Sequence, residues 1–185
     1  DTPVIYCPGN IVINSDNASC SWTAPVGTLT PIAFAKCPKT ITYSVTNPDG
    51  STTTGLNDVS GYQFQQGLSS ITYKVTDVDN VVKQCTFTIR VNDVQKPTIT
   101  APAALLLNAN ASCEINSVSL GTPITADNCT VATVYNNAPS TFTIGTTIVT
   151  WTVIDTAGNL ATAIQNVVVE DTSAPIITCA SVNPI

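Results

Sequence analysis

The chain contains no histidine. A Ser-His-Asp or Cys-His site therefore cannot be assembled within it, and a histidine-ligated metal is excluded on the same ground. Glutamate occurs only at Glu114 and Glu170, and no acid pair suited to general acid–base work is visible, so the expectation is that the chain is not an enzyme. Charged residues make up only 10% of the chain and the net charge is −6, which argues against nucleic acid as a partner, since that needs basic patches. No apolar run reaches the ~18–20 residues of a membrane helix, so membrane insertion is not expected. The chain opens on Asp1 rather than on an initiator methionine, which reads as a mature product or an excised segment.

What the sequence does have is β-branched and hydroxyl side chains in alternation, and a repeat. Phe64–Asp77 reads F-Q-Q-G-L-S-S-I-T-Y-K-V-T-D and returns 78 positions later as Phe142–Asp155, F-T-I-G-T-T-I-V-T-W-T-V-I-D. Gly67 and Gly145 mark a turn, and Ile71, Tyr73 and Val75 alternate with Thr72, Lys74 and Thr76. An alternation of period two predicts a strand with one apolar and one polar face, and its recurrence predicts a repeated all-β unit. Tyr73 and Trp151 should therefore fill the same buried position in each unit.

A proline opens each repeat: Pro3-Val4-Ile5-Tyr6-Cys7, Pro97-Thr98-Ile99-Thr100-Ala101 and Pro175-Ile176-Ile177-Thr178-Cys179. This divides the chain into residues 1–93, residues 94–171 and, over 172–185, the first strand of a third repeat. The first repeat is longer between Cys37 and Phe64, where Ile41–Val45, Asn47-Pro48-Asp49-Gly50 and Ser51–Thr54 read as an inserted hairpin at a sheet edge. Trp22 matches Ile115, which suits core packing. Gln165 stands where the first repeat has Phe87, a poor fit to a core position that the sequence does not explain.

Seven cysteines are present, and aligning the repeats assigns them. Cys7 and Cys85 both become alanine in the second repeat, Ala101 and Ala163, so they are expected to bond to each other. Cys20 and Cys37 match Cys113 and Cys129, so the expected bridges are Cys20–Cys37 and Cys113–Cys129. Cys179 matches Cys7, with a partner expected beyond Ile185. No C-x-x-C cluster suggests a thiolate metal site, and disulfides place the chain outside a reducing cytosol.

The order of motifs resembles a known family. It runs Pro-x-x-x-Cys-Pro, Asn-Ala-Ser-Cys, then Asp127-Asn128-Cys129, the Phe-x-x-Gly strand, Ala157-Gly158-Asn159 and a closing Cys-x-Phe-x-Ile-x-Val-Asn-Asp. It resembles the hyalin repeat, which implies tandem immunoglobulin-like β-sandwiches. The first repeat departs from the pattern, with Ala35-Lys36-Cys37 in place of Asp-Asn-Cys and Asp79-Asn80 in place of Ala-Gly. The Thr-rich variant with paired cysteines is similar to tandem arrays in giant secreted surface proteins of Bacteroidetes such as SprB-type gliding adhesins. The resemblance implies an extracellular, cell-surface role in adhesion or as a stalk, with neighbouring repeats of the same chain, surface glycans or other cells as partners. A carbohydrate-binding module carried on a larger secreted protein is the alternative.

Aspartates recur at matching places, Asp77 with Asp155 and Asp93 with Asp171. Calcium takes several carboxylate and carbonyl oxygens from turns, so these four are candidate ligands at the linkers, with Asp155 and Asp171 favoured because the second repeat keeps the family pattern. The competing expectation is that each aspartate only closes a hydrogen-bonded turn.

Overall fold

The computed structural model describes residues 2–178. Seventeen strands lie among the described residues. The described residues fall into two compact units: one of residues 2–96 with the segments 127–130 and 155–159, the other of residues 97–126, 131–154 and 160–178. Both are β-sandwiches.

In the first unit, β1 (Val4–Tyr6) pairs with β4 (Ile32–Phe34), and β3 (Ser21–Thr23) pairs with β7 (Gln63–Gln65). The main sheet has the order β2-β9-β8-β5-β6: β2 (Ile11–Asn14), β9 (Val82–Asn92), β8 (Gly67–Thr76), β5 (Thr40–Thr46) and β6 (Thr52–Leu56). β2 runs parallel to β9, and the remaining neighbours are antiparallel. The alternation dictates the packing. Ile71, Tyr73 and Val75 of β8 and Phe87, Ile89 and Val91 of β9 point inward against Ile5, Leu29, Val59 and Phe64, and Trp22 stacks on Phe64 with ring centroids 6.0 Å apart. Gly67 has φ +116°, and a side chain there would run into Pro48, so the turn admits no other residue without strain.

The second unit repeats the plan. β10 (Thr98–Thr100) pairs with β13 (Ile124–Ala126), and β12 (Glu114–Asn116) with β15 (Thr141–Thr143). Its main sheet has the order β11-β17-β16-β14: β11 (Leu105–Asn108), β17 (Leu160–Glu170), β16 (Gly145–Asp155) and β14 (Val131–Asn136). β14 occupies the place of β5. The insertion in the first repeat is therefore the edge strand β6 and its turn, not the whole expected hairpin, because Ile41–Val45 has a counterpart in the second unit. Residues 171–178 form no strand, and Ile176 and Ile177 are exposed. The expected opening strand over 172–185 lies in part outside the described residues; its counterparts β1 and β10 each rest on a partner strand, β4 or β13. Cys179 lies outside the described residues.

Tyr73 and Trp151 do share one position. Tyr73 sits across from Cys85 and Trp151 across from Ala163, and both rings are buried. Their polar tips are satisfied differently. The Tyr73 hydroxyl donates to the Leu29 carbonyl at 2.7 Å and accepts from the Val59 amide at 3.2 Å. Burial pushes the hydroxyl up to about 12, above its ordinary 10.0. The raised value means that the stability Tyr73 contributes is fully present below pH 10 and is lost as pH rises through about 12. Tyr73→Phe should cost about 1–3 kcal/mol, because it strands the Leu29 carbonyl and the Val59 amide in the core. Urea unfolding monitored at Trp22 measures this, and a neutral result would show that water reaches those groups.

In the second unit the tip is met by a side chain. Trp151 Nε1 donates to Gln165 Oε1 at 3.0 Å, and Gln165 Nε2 donates to the carbonyls of Ala103 at 2.8 Å and Leu120 at 3.0 Å. The misfit at the Phe87 position is thus a buried, fully engaged amide that joins Trp151 to two loops.

Candidate metal centre

Three of the four expected ligands have their carboxylates engaged by turns. Asp77 Oδ1 accepts from the amides of Asp79 and Val81, each at 2.9 Å. Asp155 Oδ1 accepts from the amides of Ala157 and Asn159 at 2.8 Å, and its Oδ2 takes the Asn159 side chain at 2.8 Å. Asp171 is exposed and accepts from the Ser173 amide at 2.9 Å. These are Asx turns, which recur because the repeat needs the same bend after the same strand.

Asp93 differs. It is 6% exposed, and its Oδ1 accepts from the Gln95 amide at 3.1 Å and from Asn128 Nδ2 at 3.3 Å, while Oδ2 is buried with no hydrogen-bond partner. The segment 127–130, part of the same compact unit, brings further oxygens to it. Asp127 Oδ2 accepts from the Cys129 amide at 2.9 Å, and Asp127 Oδ1 and Asn128 Oδ1 are both buried without a partner. Asp93 and Asp127 each place a carboxylate oxygen within 4.8 Å of the other's. Among the described residues the single ion pair is Lys36–Asp79, at 2.6 Å, so no basic side chain offsets the Asp93–Asp127 pair. A buried and a half-buried carboxylate this close repel each other unless a cation lies between them.

Several contacts hold the segment in place. Asn128 Nδ2 donates to the Ser19 carbonyl at 3.0 Å, the Thr156 amide to the Thr130 carbonyl at 3.0 Å, and Asn159 Nδ2 to the Asp93 carbonyl at 3.3 Å. The covalent contact corrects the sequence expectation. Cys20 bonds Cys129, with Cα atoms 4.7 Å apart, and among the described residues Cys37 and Cys113 are free and exposed. The expected bridges Cys20–Cys37 and Cys113–Cys129 are not formed. The alignment correctly makes Cys20 equivalent to Cys113 and Cys37 to Cys129, but equivalence says nothing about which member of one set meets which member of the other. Asn128 and Ser19 decide that by seating the 127–130 segment beside Cys20. Cys7 and Cys85 are bonded, with Cα atoms 5.7 Å apart.

The donor set is three unpaired oxygens, two of them from carboxylates. Hard oxygen donors on turns suit calcium or magnesium, with the remaining positions open to carbonyls and water. Cys129 is no thiolate ligand, because its sulfur is committed to the disulfide, and a zinc site is therefore not built here. Sequence reasoning singled out Asp93 but missed Asp127 and Asn128, which it used only as a motif. No signal in the sequence marks them, because what carries their oxygens to Asp93 is the seating of residues 127–130 by Asn128 on the Ser19 carbonyl.

Residues 92–169 match the HYR domain. The match covers the second repeat and begins just before Asp93, so Asp93, Asp127 and Asn128 all lie inside it. No curated protein matches the chain. Among solved structures, Drosophila N-cadherin EC1-4 is similar with a TM-score of 0.40 and 12% identity, over 92% of this chain and 50% of that one. Human mucin-like protocadherin EC1-2 is similar with a TM-score of 0.42 and 13% identity, over 91% of this chain and 99% of that one. The human Desmocollin-1 ectodomain gives 0.37 and 12%, over 92% of this chain and 42% of that one. This chain therefore spans half or less of the N-cadherin and desmocollin chains. Likeness at this level bears on neither partners nor ligands.

Proposed function

We propose that the chain is a segment of tandem extracellular repeats with a structural or adhesive role, serving as a stalk in the manner of the giant surface adhesins its sequence resembles, and that it binds calcium through Asp93, Asp127 and Asn128. The observation that carries the calcium reading is the set of three buried, unpaired oxygens, with the Asp93 carboxylate almost fully buried. The HYR match and the disulfides support the extracellular, non-catalytic part. A repeat of this kind does its work by keeping its shape under load. A bound cation would lock the 127–130 segment against Asp93.

Thermal unfolding in calcium and in chelator tests the site. An ion bound only by the native state stabilises by about 2.7 kcal/mol at a hundredfold excess over its dissociation constant. Asp127→Asn should abolish the calcium-dependent shift in melting temperature and, in chelator, raise stability slightly by removing one of two repelling carboxylates. Equal melting in both buffers, together with a destabilising Asp127→Asn, would leave only a turn.

One observation favours the carbohydrate-binding reading as a second possibility. Tyr6 and Phe34 stand 59% and 63% exposed on the β1–β4 ribbon, where Phe34 lies opposite Val4 and Tyr6 opposite Ile32. Exposed aromatics on one ribbon are the element that sugar stacking requires. Glycan-array binding that disappears in Tyr6→Ala and Phe34→Ala would establish it.

A further inference from the structure

The free thiols are not scattered. Cys113 immediately precedes β12 as Cys20 immediately precedes β3, and those strands pair in the same register, Ile115 with Phe142 and Trp22 with Phe64. Cys37 follows the end of β4 by three residues as Cys129 follows the end of β13, and those strands pair equivalently with β1 and β10. In the bonded pair, the first position is taken by Cys20 and the second by Cys129. Cys113 and Cys37 are thus one free copy of each half of a bond the structure already contains, and both are exposed.

A second feature accompanies Cys113. Asp93, the carboxylate beside the Cys20–Cys129 bond, has its counterpart in Asp171, and the two make the same turn: Asp93 Oδ1 accepts from the amide of Gln95 and Asp171 Oδ1 from that of Ser173. Asp93 is buried by the Asp127-Asn128-Cys129 segment, whereas Asp171 is exposed. The second repeat therefore carries both halves of the surface on which such a segment sits in the first unit.

We infer that Cys113 and Cys37 are complementary docking positions for further repeats of this type. Cys113 takes the cysteine of an Asp-Asn-Cys segment, which also covers Asp171, and Cys37 takes a cysteine that immediately precedes the strand equivalent to β3. The bonds continue the Cys20–Cys129 pattern along an array, each repeat bonded forward through one cysteine and backward through the other. The inference goes beyond the proposed function and does not depend on cation binding. The Cys37 segment has Ala35-Lys36 where the other has Asp127-Asn128, and Lys36 is paired with Asp79, so the bond at Cys37 is expected to form without calcium.

Each bond is an oxidation of two thiols, and a low-molecular-weight disulfide such as oxidised glutathione accepts the electrons. A thiolate of the small disulfide is displaced when one protein cysteine attacks it. The second protein thiolate then attacks that mixed disulfide, forming the protein bond and releasing the other small thiol. Two protein thiols and one small disulfide give one protein disulfide and two small thiols.

A second copy of this chain carries both cysteine positions, with Ala35-Lys36 in place of Asp-Asn before Cys37, and serves as the probe of the bond itself. The chain, with Cys179→Ser throughout to remove that thiol, is equilibrated at high concentration in a glutathione redox buffer and examined on non-reducing gels and by peptide mapping. The expected result is a reducible ladder whose new cross-link joins Cys113 of one copy to Cys37 of another. Cys37→Ser alone and Cys113→Ser alone should each stay monomeric, and their equimolar mixture should stop at the dimer. Intact Cys7–Cys85 and Cys20–Cys129 peptides verify that each variant is folded. A cross-link yield that rises with protein concentration assigns the bond to separate chains. In a longer polypeptide holding a following repeat, closure independent of concentration assigns it to the same chain, and either supports the inference. Free Cys37 and Cys113 at the highest concentration, random pairing including Cys113–Cys113, or Cys37 bonded to Cys20 would overturn it.

Discussion

Replacing Cys7 and Cys85 together with alanine is expected to lower the unfolding free energy of the first sandwich by about 4–5 kcal/mol, the chain-entropy value for a loop of this length. The bond spans 78 positions and ties the end of the opening strand to β9, which lies between β2 and β8 in the main sheet. Without it, nearly the whole domain becomes a free loop in the unfolded state. A loss of that size is a large part of the 5–15 kcal/mol that holds an ordinary domain folded. The effect should be confined to one unit, because the second has Ala101 and Ala163 at the matching positions. The two tryptophans allow this to be read directly. Trp22 packs in the first core and Trp151 in the second, so denaturant unfolding of single-tryptophan variants separates the transitions. A midpoint shift at Trp22 with none at Trp151 is the expected outcome. A loss below about 1 kcal/mol at Trp22 would show that the β2–β9 and β8–β9 ladders already confine the unfolded chain.

Gln165→Leu should destabilise the second sandwich by about 3 kcal/mol, although it replaces a buried polar residue with an apolar one. Leucine gains roughly 1.5–3 kcal/mol of burial. Against this it strands three groups, the Trp151 Nε1–H and the carbonyls of Ala103 and Leu120, at about 1–3 kcal/mol each. The second term is larger because three groups lose a partner and the Trp151 N–H, buried with Gln165, cannot turn toward water; Ala103 is exposed and Leu120 half-buried, so their carbonyls fall at the low end of that range. Adding Trp151→Phe should recover part of the loss by removing the stranded N–H, while the two carbonyls keep the rest. Urea unfolding of the two variants measures both steps. A Gln165→Leu protein as stable as the parent would mean that the two loops relax and pair with solvent.

The sequence was most informative where one strand's side-chain period decides the outcome. The alternation in β8 and β16, the glycine turns before them and the burial of Tyr73 and Trp151 follow from the pleat alone, because every second residue must face the same side. The equivalence of cysteines was legible for the same reason, since each sits at a fixed offset from a strand. Cys7 with Cys85 could be paired because both vanish together in the second repeat. Gln165 was not legible. Its meaning depends on carbonyls of Ala103 and Leu120, which lie 62 and 45 positions away and carry no signal in their own side chains.

The sequence by itself determined an all-β chain of repeated sandwiches and the faces of its strands, and it left Asp77, Asp155 and Asp171 open between ion ligand and turn. Only the tertiary structure decided that Cys20 bonds Cys129 across 109 positions and that Asp127 and Asn128, rather than Asp155 or Asp171, come to Asp93. The physical reason is one of range. Alternation, turns and equivalent positions are local properties fixed by backbone geometry, whereas the meeting of Asp93 with Asp127 is set by where the 127–130 segment is held, and that is settled by hydrogen bonds from Asn128 and Asn159 to backbone carbonyls that every sequence possesses.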